Sequence, residues 1–535
     1  MSVTTYKSDV VIIGGGLAGI AAAFDLLDKN KKVTIIERDK RENFGGLAKE
    51  SFGGIMIVGT PHQKRLGIND TPEIALSDWL SFANFDENDI WPRKWAEFYV
   101  NESIPYIYEW LVKRSVKFLP LVNWPERGIF KPGNSVPRWH IVWGTGYELI
   151  RLILKHLEAH PKRNNLNIYF NHKVDNLIEQ NGKIIGCSGV KEDSQEEFEA
   201  QADAVIIASG GICGGDLSKV RDNWYKPWGQ PPKTLLNGSH PFADGLLHDC
   251  VDKLGGNVTH LDLQWHYAAG IHHPKPKRAM HGLSLVPPRS ALWVNALGKR
   301  IGPVPLMGYT DTRYVVEQIC KQPGQYSWQI LNFEIAIKEL AVSGSEYMNA
   351  FRYKKKFKLL MDVLFGNKEL VRRLIKESKD IITGINIRSL VHKMNEVSNE
   401  YKIDKDLLES EIKAYDDQID RGPALFNDDQ LRRIANFRNY RGDRIRTCKF
   451  QKINDKDAMP LIAIREFILS RKSLGGIQTD LSCRVLDKEG SPIDNLYAVG
   501  ESAGFGGGGI HGQGSLEGTF LGSCILTGRI VAKSI

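Results

Sequence analysis

Paired cysteines are what this chain lacks first. Its seven cysteines (Cys187, Cys213, Cys250, Cys320, Cys448, Cys483 and Cys524) are odd in number, scattered, and never spaced C-x-x-C. That argues for a reducing compartment and against a zinc finger, an internal iron–sulfur cluster or an attached c-type haem. Long hydrophobic runs are missing as well: the apolar stretch Val10 to Leu27 is broken by glycines and by Asp25, so no integral membrane segment is expected. The opening residues place no basic segment ahead of their apolar run; no secretory signal is read, and a cytoplasmic location is expected. His266, His272 and His273 have no convincing third ligand near them in the sequence, so no metal site is expected. Charge of one sign is only mildly in excess, at +8 over 535 residues. Such a balance suits acidic small molecules or weak polyanion contact and says little about fold. The densest basic stretch, "FRYKKKFK" from Phe351 to Lys358, carries no recognised nucleic-acid motif; it reads as a solvated helix face in preference to a nucleic-acid or membrane patch, and no nucleic-acid partner is expected.

What is present is a globular composition, 42% hydrophobic and 25% charged, on a chain long enough for about two to four domains. The segment "SDVVIIGGGLAGIAAAFDLLDKNKKVTIIERD" opens with a β-branched run, Val10 to Ile13, of the kind that forms a doubly buried parallel strand. Gly14, Gly16 and Gly19 then give G-x-G-x-x-G, followed by a helical stretch and a second strand, Val33 to Ile36, ending at Glu37. Gly14 permits the tight turn, Gly16 lets a pyrophosphate approach the backbone, and Gly19 lets the helix pack on the strand. Glu37 is placed to accept the adenosine ribose hydroxyls. These residues, with Ala18 beside them, are candidate cofactor contacts. Past the second strand, "FGGLAKESFGG" adds two Gly-Gly pairs, with Gly46 and Gly54 as candidates. "NIYFNHKVDNLIEQNGKIIGCSGV" reads as a strand, bearing the candidate Val174, and a hairpin turning at Asn181-Gly182. "ADAVIIASGG" is another buried strand, with Ala208 and Gly210 at its end. A flavin enzyme wrapping an extended FAD uses such additions; an ordinary NAD domain does not.

The C-terminal stretch "GESAGFGGGGIHGQGSLEGTFLG" concentrates glycine after a strand at Leu496 to Val499. Glu501 at that strand end is a candidate acceptor for ribityl or ribose hydroxyls. From Ser515 the pattern becomes helical, and a glycine loop leading into a helix N-terminus is electropositive. Its glycines are expected to face the flat isoalloxazine ring, with Ser515 and Leu516 beside it. His511, amid glycines, is expected to have few packing partners and so to be functional.

The pieces "VVIIGGGLAGIAAA", "IIER", "VIIASGG", "GGIQTDLSCRVLDKEGSPIDNLYAVGE" and "HGQGSLEGTFLG" resemble the flavoprotein family that contains succinate dehydrogenase, fumarate reductase flavoproteins and 3-ketosteroid dehydrogenases. "RKSLGGIQTD", "GFGGGGIHG" and "LEGTFLG" look most like its ketosteroid-dehydrogenase-like branch. The resemblance implies an α/β fold: a Rossmann-like FAD-binding domain of the glutathione-reductase-type three-layer kind, with an inserted α+β capping domain. The expected boundaries are 1–265 for the N-terminal part of the FAD-binding domain, 266–445 for the capping and substrate domain, and 446–535 for the C-terminal part. The family attaches FAD covalently through a histidine ahead of the second Gly-Gly pair. This chain has Leu47 there, which implies non-covalent FAD.

The family's dicarboxylate clamp is not matched. Gly514 and Ser515 stand where its substrate arginine falls, Lys472 replaces a histidine, and Thr310 falls near the proton-donating arginine, with Arg313 close by. Losing a bidentate guanidinium is not conservative. Ketosteroid dehydrogenation instead uses tyrosines, for which Tyr309 and Tyr267 are candidates; His511 sits where those enzymes have a tyrosine. The candidate catalytic residues are therefore His511, Tyr309, Lys472 and Arg313. The expected function is an FAD-dependent oxidoreductase acting on the CH–CH group of a ketone or ketosteroid-like small molecule, with hydride transfer to flavin N5. Electrons then pass to or from a separate acceptor or donor. The alternatives are fumarate-reductase-like reduction of an activated alkene acid, and a non-catalytic flavin-binding redox sensor.

Overall fold

The computed structural model describes residues 3–398 and 400–535. The chain forms two compact units, one comprising Met1–Trp224, Ser239–Trp265 and Arg471–Ile535, the other Tyr225–Gly238 and His266–Ser470. Both mix sheet and helix, and the class is α/β. Among the described residues no helix is long and apolar enough to cross a membrane.

The first unit is built on a ten-stranded sheet. At its centre lie four parallel strands in the order Pro492–Ala498, Ala204–Ile207, Val10–Ile13, Val33–Ile36. The last three of these are buried at every position, as apolar runs covered on both faces must be. The strand Leu166–Tyr169 extends the edge beyond Val33–Ile36. On the other side His172–Gln180 and Lys183–Lys191 form the expected hairpin. Its turn residues Asn181 and Gly182 both have positive φ, 54° and 78°, which a type I′ turn requires. Two helices from opposite chain ends, Leu17–Asp28 and Thr519–Ser534, pack on each other. They approach so closely that a Cβ on Gly528 would lie 2.3 Å from the Ala18 carbonyl oxygen, and Arg529 pairs with Asp25 at 2.9 Å. The C-terminal helix begins at Thr519 rather than Ser515, because Gly518 takes a left-handed φ of 98° and the residues before it are turns.

The second unit carries an eight-stranded sheet in the order Leu292–Val294, Tyr326–Asn332, Leu461–Ser473, Gln264–His272, Gly282–Val286, Ala341–Val342, with two short strands pairing onto Leu461–Ser473 as well. Helices Ile387–Val397 and Lys405–Arg421 lie between strands of this sheet in sequence, while its strands Gln264–His272 and Tyr326–Asn332 are buried at all but one position each and so show no alternation to read.

One face of this sheet holds an anomaly. Register sets Ser327 opposite Glu466 and Gln329 opposite both Ile464 and Trp293. Glu466, Ser327 and Gln329 are fully buried, and none of their side-chain polar atoms has a hydrogen-bond partner among the described residues. Burial pushes the Glu466 carboxyl far above its ordinary 4.5, so the folded protein holds it neutral. Below 4.5 folded and unfolded chains both carry the proton; as pH rises the unfolded chain ionises first, and stability falls by about 1.4 kcal/mol per pH unit. Glu466→Gln cannot ionise. Urea unfolding should therefore show it gaining on the wild type from mildly acidic to neutral pH, whereas parallel profiles would show that the carboxyl is solvated.

Candidate active site

The G-x-G-x-x-G loop joins the strand Val10–Ile13 to the helix Leu17–Asp28, and each glycine has its own reason. A Cβ on Gly14, where φ is +109°, would lie 2.4 Å from the Ala208 carbonyl oxygen; one on Gly19 would lie 2.2 Å from that of Gly14. Gly16 differs, since no atom lies within 4 Å of where its Cβ would be. Its backbone faces open space, and no side chain caps the helix that follows. The first Gly-Gly pair closes on the same loop: Gly45 N–H donates to Gly15 O at 3.0 Å, and only the Gly16 Cα, at 3.4 Å, approaches the open side of Gly46. Backbone N–H groups around a side-chain-free opening suit a pyrophosphate.

Glu37 is fixed by two backbone donors, Gly15 N–H to Oε2 at 2.6 Å and Asp39 N–H to Oε1 at 2.7 Å. Burial raises its pKa, and these two bonds oppose the rise. Glu501 is held likewise: Ser473 N–H donates to its Oε1 at 2.9 Å. Burial lifts the Glu501 carboxyl to about 7 against the pull of Ser473 and Lys472. Ser473, within "RKSLGG", was not singled out from the sequence. Its Oγ also accepts from Ile212 N–H at 2.7 Å, tying the end of the strand Ala204–Ile207 to the C-terminal segment. Gly211 must lack a side chain there, since a Cβ would lie 2.3 Å from Ser473 Oγ and 2.6 Å from Glu501 Oε1. Ser502 Oγ donates to Gly210 O at 3.0 Å.

Other candidates serve packing. A Cβ on Gly54 would strike the Trp139 ring at 1.9 Å, so its missing side chain is filled by protein and does not face a cofactor. The Val174 side chain lies in the apolar core with Ile13, Ile36 and Phe198, leaving only its backbone for a ligand. Ala208 accepts the turn at Gly14 and donates its N–H to Ile13 O at 2.8 Å. Ala18 is wedged against Gly500, whose Cβ would lie 2.8 Å away.

The C-terminal glycine loop departs from expectation. It is a buried chain of turns, and most of its glycines meet protein rather than open space. Cβ atoms on Gly506 and Gly507 would lie 3.0 and 2.8 Å from Trp95, and those on Gly512 and Gly514 would lie 2.5 and 2.6 Å from the carbonyl oxygens of Ala83 and Phe82. Two helices, Pro72–Ala83 and Ile90–Ser103, thus mould the loop, and Trp79 and Trp95 donate their indole N–H groups to Ile510 O and Asp480 O. His511 is correspondingly enclosed. Its ring stacks on Trp79 with centroids 5.8 Å apart and meets Phe505 and Phe520 at 5.2 and 4.9 Å. Thr519 Oγ1 donates to Leu516 O, so His511 Nε2–H donates to Thr519 Oγ1 at 2.7 Å. Nδ1 is then an acceptor with no hydrogen-bond partner among the described residues. Burial and the Lys472 charge lower the imidazole to about 3, so it stays neutral at physiological pH. The expectation of few packing partners is corrected: three aromatic rings hold it, and a cationic acid it cannot be. Ser515 Oγ lies 3.1 Å from Thr519 Oγ1, and Leu516 is fully buried. The Lys472 ammonium lies 3.9 Å from the Phe520 ring centroid, and burial lowers it to about 8 although Glu517 and Glu501 oppose the shift.

Tyr309 and Arg313 belong to the second unit, His511 and Lys472 to the first. Arg313 stacks over Tyr225 and Trp228, 4.4 and 4.7 Å from their centroids, a packed position rather than an open clamp. Tyr309 lines a pocket with Tyr267, Leu285, Pro287, Trp293 and Thr312. The space among them is about 20 Å³, room for an atom or two and not for a ring system. The Tyr309 hydroxyl donates to Ser343 Oγ at 3.1 Å, its ring meets the edge of Tyr267 at 5.9 Å, and its backbone is left-handed at φ 56°. Arg446, missed in the sequence, is within electrostatic reach of Tyr309. Among the described residues no group of three His, Cys, Asp or Glu could hold a metal; His272 and His273 pair with Asp380 and Glu346, each at 2.8 Å.

Strand, glycine turn, open helix end and a backbone-held terminal carboxylate define a dinucleotide-binding enzyme of the flavin type. Residues 9–521 match the family described as FAD binding domain, and the chain belongs to that family of FAD-dependent oxidoreductases. It is 40% identical over 545 residues to a KsdD-like steroid dehydrogenase of Mycobacterium tuberculosis, covering 98% of this chain and 95% of that one. Its fold is that of 3-ketosteroid Δ1-dehydrogenase from Sterolibacterium denitrificans, with a TM-score of 0.69 at 14% identity and 99% of each chain covered. It is equally that of a flavocytochrome c3 fumarate reductase, with a TM-score of 0.68 at 19% identity, covering 99% of this chain and 78% of the other.

Replacing Glu37 by Gln keeps its shape but removes the charge that two backbone donors and a ribose diol would share. FAD affinity, read by flavin fluorescence on titrating the apoprotein, should fall about tenfold, one charge-assisted hydrogen bond's worth; unchanged affinity would take Glu37 out of the cofactor site.

Proposed function

We propose that this enzyme introduces a carbon–carbon double bond beside the carbonyl of a ketosteroid-like substrate. The observation that carries the reading is the lining of the second-unit pocket: two phenols, Tyr309 and Tyr267, amid Leu285, Pro287 and Trp293, with no charged side chain among its described lining residues. The space is closed to a ring system as it stands, so the lining must part to admit the carbonyl end of a ketone on an apolar skeleton; once parted, it offers nothing to a dicarboxylate. The relationship to an enzyme named a steroid dehydrogenase supports the same substrate class.

In this reading the first unit is the Rossmann-like FAD-binding domain and the second its inserted α+β cap. The Gly14–Gly16 loop and the first turn of Leu17–Asp28 hold the pyrophosphate, Glu37 the adenosine ribose, and Glu501 the ribityl hydroxyls; the Ser515–Leu516 turn borders the ring. Leu47 offers no nucleophile, so the cofactor is non-covalent. When bound, FAD supplies the hydride acceptor at N5. The chain's own part is proton handling and orientation. Tyr309 acts as the base in its phenolate form, having first given its own proton to solvent: Ser343, which accepts from the phenol, turns its hydroxyl to donate to the phenolate, the Arg446 charge lowers the cost of that anion, and Oη then takes the proton beside the carbonyl. The neutral His511 orients Thr519 and the turn before the C-terminal helix and moves no proton itself. Lys472 completes the polar wall beside Glu501.

Anaerobic mixing of the FAD-loaded enzyme with 3-ketosteroids should bleach the oxidised-flavin band. Tyr309→Phe should slow bleaching about 100-fold or more with little change in the substrate concentration that half-saturates it. Bleaching at the wild-type rate would remove Tyr309 from the chemistry. Reoxidation of reduced enzyme by fumarate or a related enoate, with ketosteroids inert, would replace the reading by alkene-acid reduction.

A further inference from the structure

The helix Lys356–Phe365 of the second unit buries none of its residues. Phe357, Leu360, Met361, Leu364 and Phe365 recur at i, i+3, i+4, i+7 and i+8 and so share one face. A surface helix ordinarily turns such a stripe towards the core. Here the five side chains are 40 to 76% exposed, while Leu359 and Val363 on the other side are half-buried. Single exposed apolar residues need no explanation, but a contiguous stripe of large ones marks an interaction surface.

Charge says what the partner is. Residues 352–376 contain nine Lys or Arg against two acids, Asp362 and Glu369, and both acids pair with Lys358. The net charge of the whole chain is +8, so this one stretch accounts for nearly all of it. Lys354, Lys355 and Lys356 are exposed and gather at the N-terminal end of the helix, where cations oppose the helix dipole. Local helix stability therefore gives no reason for them.

We propose that this helix docks the protein on an anionic lipid surface, its apolar stripe entering the boundary between headgroups and acyl chains and Lys354, Lys355 and Lys356 meeting lipid phosphates. A basic end on an outward apolar face is the composition of a helix that lies in the interface plane, and each lysine near an anionic leaflet adds attraction. A second copy of the chain fits poorly, because a two-fold contact would set this same positive patch against itself. The helix spans about 15 Å, and a lipid surface needs no shaped groove to receive it.

Flotation of the full-length, FAD-loaded protein with phosphatidylcholine vesicles, with and without phosphatidylglycerol, tests this. The protein should float with the anionic vesicles only, and less as salt is raised. Phe357→Ser with Leu364→Ser and Phe365→Ser should lower the floated fraction at least tenfold. Lys354→Glu with Lys355→Glu and Lys356→Glu should do the same. Flavin absorbance and melting temperature should stay at wild-type values in both variants, because these side chains are exposed. Failure of the wild type to float with anionic vesicles would overturn the proposal. So would undiminished flotation of either variant, or a concentration-dependent oligomer in sedimentation that the serine variant dissolves.

Discussion

Backbone closeness at the ends of adjacent parallel strands is the constraint on which the first unit depends. Three segments far apart in the chain, 14–19, 208–212 and 500–528, meet where a single Cβ would lie 2.2 to 2.6 Å from the facing atom at Gly14, Gly19, Gly211 or Gly528. Real Cβ atoms do not approach so near, so a side chain at any of these positions would force the facing atoms to shift. The two carboxylates nearby are held by backbone donors: Glu37 by the N–H groups of Gly15 and Asp39, and Glu501 by that of Ser473, at the end of the strand Leu461–Ser473.

Electrostatics around the glycine loop then follow from burial more than from pairing. Desolvation is the largest influence on Glu501, Lys472 and His511, raising the carboxyl and lowering both bases. All three are pushed towards their neutral forms, which weakens any role as a fixed ionic clamp. A dicarboxylate needs two rigid, forked cations. Lys472 is a point charge near an aromatic face, and Arg313 is stacked between aromatic rings. The second-unit pocket, by contrast, is lined by the phenols Tyr309 and Tyr267 and, among its described lining residues, by no charged side chain.

Legibility in the sequence divided along the same line. The dinucleotide unit could be read because each of its residues is required locally: Gly14 by a turn, Gly19 by helix packing, Glu37 by a strand end. The Asn181-Gly182 hairpin was legible for the same reason. The C-terminal glycines misled, since their partners are Trp95, Phe82 and Ala83, some 400 residues away in sequence, and nothing local distinguishes a glycine facing a tryptophan from one facing a cofactor. For His511 the expectation of few packing partners failed because Trp79, on which it stacks, lies far away in sequence, and the loop also folds Phe505 and Phe520 against the ring. Gly54 was taken by Trp139. In the second unit, strands buried on both faces lack the alternation that announces a strand, whereas "FRYKKKFK" reads as a solvated face and its Lys354, Lys355 and Lys356 are exposed.

Tyr309 shows how the second unit achieves rigidity without a glycine-rich cradle. A Cβ on Gly308 would lie 2.1 Å from the Pro287 ring, so the chain can press against that proline only with glycine there. Having passed it, the backbone must turn left-handed at Tyr309, a conformation that a bulky residue adopts only when its surroundings impose it. The Tyr267 edge and the Ser343 hydroxyl supply that imposition. The phenol cannot swing away from the pocket without breaking the bond to Ser343 and the ring contact together, so the position of its Oη is set by the fold and not by a ligand.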